Sequence, residues 1–441
     1  MEFDIWKHFF SDKILDCIVK NTNDHIRLAR ANYTRERDAK ETDILEVQAL
    51  LGLLYLAGVL KSSRLNVEEL RNSNGTGVEI FRLTTSQSRF RFLLQHLRFD
   101  DMTTREVRKK LDKLAPIREI FDNFVTNCKT AYTPFEYVTI DEKLEAFRGR
   151  CAFKQYIPNK PNKYGIKIFA LVDAKTFYTS NLEVYAGKQP DGPFAVNNSP
   201  NAAVQRLCQP IKGTGRNVTL DNWFTSIDLL DTLYKNFNLT LLGTIRKNKK
   251  ELPIEFSRPF KRPALTSMFG FRENATLVSY MSKKNKNVLL VSSMHHDDCI
   301  DRNTNKPDMI MDYNATKGGV DSVDKLCAAY DCARNTRRWP MVVFYSLLNI
   351  AGINSLIIYS MNNNIDSIKR REFSKRLSFH LIESHMRRRA MQGIPRTMAA
   401  RICEILGTET PQSATSILAD HRGRYTYCDR RKNRPTRIND D

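Results

Sequence analysis

Residues 137–147 read YVTIDEKLEAF and residues 216–226 read RNVTLDNWFTS. Each holds a short β-branched run that stops on an aspartate, Asp141 in the first and Asp221 in the second. Runs of this composition read as strands, and a strand that stops on a carboxylate delivers it to the edge of a sheet. Around them lie further apolar, β-branched runs, YGIKIFALVD (164–173), FYTSNLEVYA (177–186) and LTLLGTIR (239–246), with the helix-like SIDLLDTLYKN (226–236) before the last. Strands followed by a strand, helix, strand alternation predict a mixed sheet flanked by helices.

That pattern suits an RNase-H-like core in an α+β chain, with 137–247 as its first part. Upstream, 1–136 reads as helical: LEVQALLGLLYLAGVLK (45–61) is a buried or amphipathic helix, and SQSRFRFLLQHLRFD (86–100) carries basic and apolar faces, read as a solvated face and a core face. Downstream, 248–307 turns polar and basic (KNKKELP, RPFKRP) but contains ATLVSYM (275–281) and NVLLVSSM (287–294), which predict a β-rich insertion. Residues 307–330, PDMIMDYNATKGGVDSVDKLCAAY, read as an extended run, a Gly-Gly turn and a helix that returns to the core over 308–330. Helices then continue over 331–406, making the helical domain discontinuous. Residues 407–441 read as a basic tail.

The 441 residues carry 70 lysines and arginines against 49 acids, a net charge of +21. Such an excess fits a polyanion held through its phosphates, or an anionic membrane surface. The uncharged run 341–361, MVVFYSLLNIAGINSLIIYSM, is long enough to span a bilayer, but Asn349, Asn354 and its serines would each need a partner in lipid. It is read as a buried core helix, and no membrane partner is expected. The first residues lack the apolar core and cleavage site of a signal peptide. Nine cysteines are scattered without a CxxC pair, which points to reduced thiols and to no zinc module.

Metal-dependent phosphodiester chemistry needs carboxylates converging from separate elements, because hard oxygen ligands hold the ions. Asp141 and Asp221 sit at strand ends; Asp321 follows Gly318-Gly319 and opens a helix, with Asp324 three residues on in the same first turn. Taken singly, each acid is better read as a cap, a turn or a surface salt bridge. Arg148, Arg150, Lys160, Lys163 and Lys167 form one basic cluster and Arg246, Lys247, Lys249 and Lys250 a second, either of which could meet backbone phosphates. Each of these cations alone is as well read as a solvated surface charge. Trp223 is read as core packing over base stacking, and HHDDC (295–299) as an exposed loop.

The ordered matches TIDEKLEAFRGRC, YIPNKPNKYGIKIF, TLDNWFTS, GTIRKNKKELP, MFGF, LVSY, YNATKGGVDSVDKL and RRWPMVVFYSLLNIAGINS make the sequence, over roughly residues 5–405, resemble the piggyBac family of DNA transposases. The resemblance implies a cut-and-paste transposase with an RNase-H-like catalytic core, a helical domain from both sides of it that serves dimerisation and DNA binding, and a β-rich insertion. It implies that Asp141, Asp221 and Asp321 are a metal-binding triad for Mg2+, with Mn2+ as a substitute, and that Asp324 is an additional acid of the site. Implied partners are double-stranded transposon ends and a TTAA target, cut through a hairpin end by a nuclear homodimer.

The family's cysteine-rich, zinc-binding C-terminal domain is expected to be missing, since only Cys428 follows Cys403, and no zinc is expected in this chain. The alternative reading is a domesticated or decayed transposase-derived DNA-binding protein without catalytic activity.

Overall fold

Alternation in residues 137–146 builds the centre of the molecule. Strand β1 (Tyr137–Ala146) turns Val138 and Ile140 to one face and Thr139, Asp141 and Lys143 to the other, as the two-residue period of a strand requires. The computed structural model describes residues 2–409 apart from 159, 161, 259–261 and 364–367, together with 422–423 and 436–437. It divides into two compact units, Met1–Ile382 and Glu383–Asp441.

In the first unit, β1 is joined by β2 (Gln155–Tyr156), β3 (Tyr164–Asp173), β4 (Thr179–Val184), β5 (Asn217–Leu220), β6 (Thr240–Thr244), β7 (Ser267–Arg272), β8 (Ala275–Lys283) and β9 (Lys286–Ser292). They form one nine-stranded sheet in the order β2-β3-β1-β5-β6-β9-β8-β7, with β4 also on β3. β1, β5 and β6 are parallel, with Ile140 opposite Leu220 and Leu220 opposite Gly243, and the other pairings are antiparallel. This mixed sheet with helices on its faces is the RNase-H-like α+β fold expected from the strand pattern. Strands β7 to β9, anticipated as a separate insertion, extend the same sheet because β9 pairs with the edge of β6.

Val138, Ile140, Val218, Leu220 and Leu241 pack under helices Pro200–Cys208 and Ile227–Phe237, whose Val204, Leu207, Leu229, Leu230 and Leu233 are buried against them. Each such side chain contributes about 1.5–3 kcal/mol relative to exposure. The opposite face carries helices Asp308–Thr316 and Gly319–Ala329. Residues 308–316 are therefore helical, where the sequence suggested an extended run. Asp308 in the first turn favours the helix start, and Met309 and Ile310 are buried by that turn.

Helices Glu2–Phe9, Asp12–Ala29, Ile44–Val59, Gln87–His96 and Arg118–Ala131 precede the sheet, and Trp339–Asn363 follows it. That last helix is apolar and long enough to cross a membrane, but most of it is buried inside the protein. Its polar groups have internal partners: Asn354 exchanges hydrogen bonds with the Thr179 backbone, and Asn349 accepts from Cys332 N–H and donates to Asp331. The eight described cysteines are unpaired, and five of them are buried.

Helix Arg370–Ala390 runs from the first unit into the second, which also holds Arg396–Leu406, closed by Gly407 at φ 62°. In the predicted basic tail, Arg422–Gly423 pairs with Thr436–Arg437; Cys428 lies outside the described residues.

Candidate active site

Parallel pairing of β1 with β5 sets Asp141 and Asp221 beside one another, since each directly follows a residue of the pair Ile140 and Leu220. The carboxyl ends of parallel strands are where open α/β sheets place their ligands. Asp141, Asp221 and Asp321 line one cavity of about 330 Å³, together with Thr139, Thr219, Tyr313 and Lys317. Three acids separated by up to 180 residues thus meet on the face covered by the helices after β9.

Asp141 and Asp221 are half-buried, and neither forms an ion pair among the described residues. Asp141 Oδ1 accepts the Glu142 N–H at 2.7 Å, and Asp221 Oδ1 accepts the Trp223 N–H at 2.9 Å. Those short turns fix the carboxylates without neutralising them. Burial, followed by the nearby Glu142 and Asp221 charges, pushes the Asp141 carboxyl up to about 8. Burial and the Glu142 charge also raise Asp221. Asp321 is more open: its side chain is 62% exposed and stands 4.0 Å from Lys160 Nζ.

Asp324 goes elsewhere. Although it shares a helix with Asp321, its Oδ1 accepts from Lys143 Nζ at 2.7 Å and it lines a neighbouring groove of about 720 Å³. The two acids do not share the first turn as expected: the helix begins at Gly319, so only Asp321 lies in that turn, and the buried ammonium of Lys143 holds Asp324 one turn further on. Glu142 and Lys143 were not singled out from sequence. The signal for Lys143 was there, because alternation places it on the Asp141 face; Glu142 points by the same rule to the other face, and its influence comes from adjacency.

The basic residues separate into three situations. Arg148, Lys160 and Lys163 line the groove with Asp324, while Arg150 is exposed and lines neither cavity. Arg246, Lys247 and Lys250 are exposed and Lys249 half-exposed just after β6, with Arg246 Nε 3.5 Å from Asn222 beside Asp221. Lys167 is not a surface cation: it is 9% exposed, and its Nζ lies 4.0 Å from the Trp223 ring centroid. Trp223 packs on Phe169 and Phe224, as core packing predicted. The HHDDC run is exposed except at its first residue, where His295 is held between Ser292 Oγ and Asp312 Oδ2.

Among the described residues no three His, Cys, Asp or Glu side chains stand close enough together to hold a metal ion as they are placed. The donor set nonetheless fits a hard divalent cation. It consists of carboxylates alone, two of them half-buried and in no ion pair among the described residues, and oxygen donors of this kind suit Mg2+ or Mn2+ rather than a thiophilic metal.

Comparison with known proteins places this geometry in context. The family described as Transposase IS4 matches residues 2–356. The human PiggyBac transposable element-derived protein 3 is 21% identical over 408 residues, covering 87% of this chain and 65% of its own length. The human Chimeric ERCC6-PGBD3 protein aligns equally over 87% of the chain but only 36% of its own length, so the chain spans less than two thirds of either relative. Among solved structures, the cryo-EM structure of a piggyBac transposase synaptic complex with hairpin DNA superposes with a TM-score of 0.88 at 38% identity, covering 97% of this chain and 91% of that one.

Proposed function

The chain belongs to the piggyBac-type branch of the Transposase IS4 family, and from that premise we propose that it is a DNA transposase whose Asp141, Asp221 and Asp321 hold two divalent cations, Mg2+ or in its place Mn2+. The observation that carries this reading is a single cavity fed by three separate elements, in which two half-buried carboxylates form no ion pair among the described residues.

The bound ions would supply charge neutralisation for in-line displacement at phosphorus. The chain's own residues do the positioning. β1 and β5 hold Asp141 and Asp221 side by side; the helix starting at Gly319 brings Asp321 across from them. Arg148, Lys160 and Lys163 in the adjoining groove, and Arg246 to Lys250 beside Asn222, are disposed to take backbone phosphates of double-stranded DNA on two sides of the cavity. Arg150 adds to the surface charge, and Lys167 acts from beneath Trp223 rather than as a free phosphate contact. In this reading water nicks a transposon end, the freed 3′-hydroxyl attacks the opposite strand to leave a hairpin, and the opened ends join at TTAA. The solved relative's synaptic complex holds hairpin DNA, which supports the hairpin in this reading. The helical segments 1–136 and 331–406 would pair two copies in the nucleus around the core segments 137–247 and 308–330.

A second reading, a DNA-binding protein derived from a transposase but without catalysis, is favoured by the human relative whose name describes it as element-derived. Nicking of supercoiled DNA by the purified chain with Mg2+ or Mn2+ separates the two. Metal-dependent nicking that disappears in Asp221→Asn is the expected result; salt-sensitive binding with no nicking by either protein would instead support the binding-only reading.

A further inference from the structure

Alternate residues of β1 share a face, so Thr139, Asp141, Lys143 and Glu145 all look toward helix Gly319–Ala329. That helix meets the strand at two fixed points, one on each side of Asp141. At the first, Gly319 lies so close that a Cβ there would stand 2.6 Å from Thr139 Oγ1. The same hydroxyl donates to the Thr316 carbonyl at 2.5 Å. At the second, Lys143 is 1% exposed and donates to Asp324 Oδ1 at 2.7 Å.

The second point is tied further. Lys143 Nζ is 3.3 Å from Glu145 Oε1, which accepts from Ser346 Oγ at 2.6 Å on helix Trp339–Asn363. Asp321 falls between the two points, two residues after Gly319 and three before Asp324. Asp324 faces the groove that Lys143 lines, and it is absent from the walls of the cavity shared by Asp141, Asp221 and Asp321. A buried ammonium needs a counter-charge, and Asp324 with Glu145 supplies it.

We propose that Lys143 is a positioning residue: its buried ion pair with Asp324 pins helix Gly319–Ala329 to β1 so that Asp321 faces Asp141, and Asp324 acts through this contact rather than as a metal ligand. This rests on the metal-site reading above. It assigns Lys143 a role in the site, and it reduces the ligating acids to three.

The test is a double-mutant cycle in the full chain, using Lys143→Gln, Asp324→Asn and the two combined, with Asp221→Asn as reference. Two quantities are measured, the Mn2+ dissociation constant by titration calorimetry and the unfolding temperature in chelator. Because both single variants break one positioning contact, each should weaken Mn2+ about tenfold, as loss of an outer support does, and the combination should weaken it no further. The unfolding temperatures should be non-additive in the same way. Loss of Mn2+ binding in Asp324→Asn as complete as in Asp221→Asn, with Lys143→Gln unchanged or tighter, would make Asp324 a ligand and overturn the proposal. Additive losses, or no change in either single variant, overturn it too. If Asp221→Asn itself leaves Mn2+ binding intact, the metal-site reading has failed instead, and the thermal cycle alone then decides whether the two residues act as one anchor.

Discussion

Asp112 and Asp141 are both aspartates withdrawn from water, and they are treated in opposite ways. Asp112 is the more deeply buried, at 2% exposure, yet it is fully compensated. Arg118 Nε and Nη2 donate to its two oxygens at 2.8 Å each, Leu114 N–H and Gln189 Nε2 donate at 2.9 Å, and the group sits among the helices that precede the sheet. Burial alone would raise its pKa, but the Arg118 hydrogen bonds hold it below the usual value. Asp141 is less buried, receives one backbone N–H, faces two further acids, and is pushed up to about 8. Burial therefore does not mark a functional carboxylate. The mark is burial that the protein leaves uncompensated, because a structural carboxylate is neutralised from within while a ligating one must take its cation from outside.

The largest effect that could break this comparison is on the compensated side. Arg118→Ala strands Asp112 in the interior and should cost about 3–5 kcal/mol in urea unfolding, the cost of removing one partner of a buried pair. Asp141→Asn, by contrast, should cost nothing and should stabilise the protein in chelator. Equal losses at the two sites would mean that Asp141 is held by partners as Asp112 is, and the distinction would collapse. Next in size is the response to metal. Mn2+ at about a hundred times its dissociation constant should stabilise the wild-type chain by about 2.7 kcal/mol, read as a rise in unfolding temperature. That rise should be missing in Asp221→Asn.

Only the Asp141 side of this contrast was legible in the sequence, and the remainder was hidden for physical reasons. Asp141 and Asp221 announced themselves because a β-branched run ending in a carboxylate is a local pattern; Asp221 does follow the last residue of β5, but Asp141 lies inside β1, which continues to Ala146 because residues 142–146 go on pairing with β3. The fold followed from the same runs. The separation of Asp324 from Asp321 could not be read, since it depends on Lys143, whose partner is 181 residues away. Lys167 looked like one more surface cation because its burial beneath Trp223 comes from strand pairing and ring packing rather than from its neighbours in sequence. Strands β7 to β9 were visible as strands, but only the edge of β6 decides that they join the sheet.

A smaller effect sharpens the comparison without touching a carboxylate. Gly319→Ala puts a methyl group 2.6 Å from Thr139 Oγ1 and 2.9 Å from Thr139 Cβ, which is fixed to the strand and cannot yield easily. Overpacking of this kind costs about 1–3 kcal/mol. The helix carrying Asp321 should shift away from β1, so the variant should also lose part of the Mn2+ response while the Asp112 region keeps its stability increment. A loss of stability with an unchanged Mn2+ response would show that the cavity tolerates movement of its third wall.

The smallest expected effect, and the one that tests the sign of the argument, is the pH dependence of stability in chelator. The folded pKa of Asp141 lies above its ordinary value of 3.8, at about 8. Below about pH 4 the carboxyl is protonated in both states and nothing opposes folding. Between about pH 4 and about pH 8 the unfolded chain ionises while the folded chain keeps its proton, so stability falls as pH rises. For Asp112 the sign reverses: its folded pKa is lowered, so its contribution is present above the ordinary value and is lost as pH falls below it. The wild-type curve should decline on both limbs. Asp141→Asn should flatten only the upper limb, by about 1 kcal/mol once solvent screening of a half-open site is allowed for, and Asp112→Asn should flatten only the acid limb. If Asp141→Asn leaves the upper limb unchanged, the charge that opposes folding there belongs to another group, and the uncompensated pair is not the source of the strain that a cation would relieve.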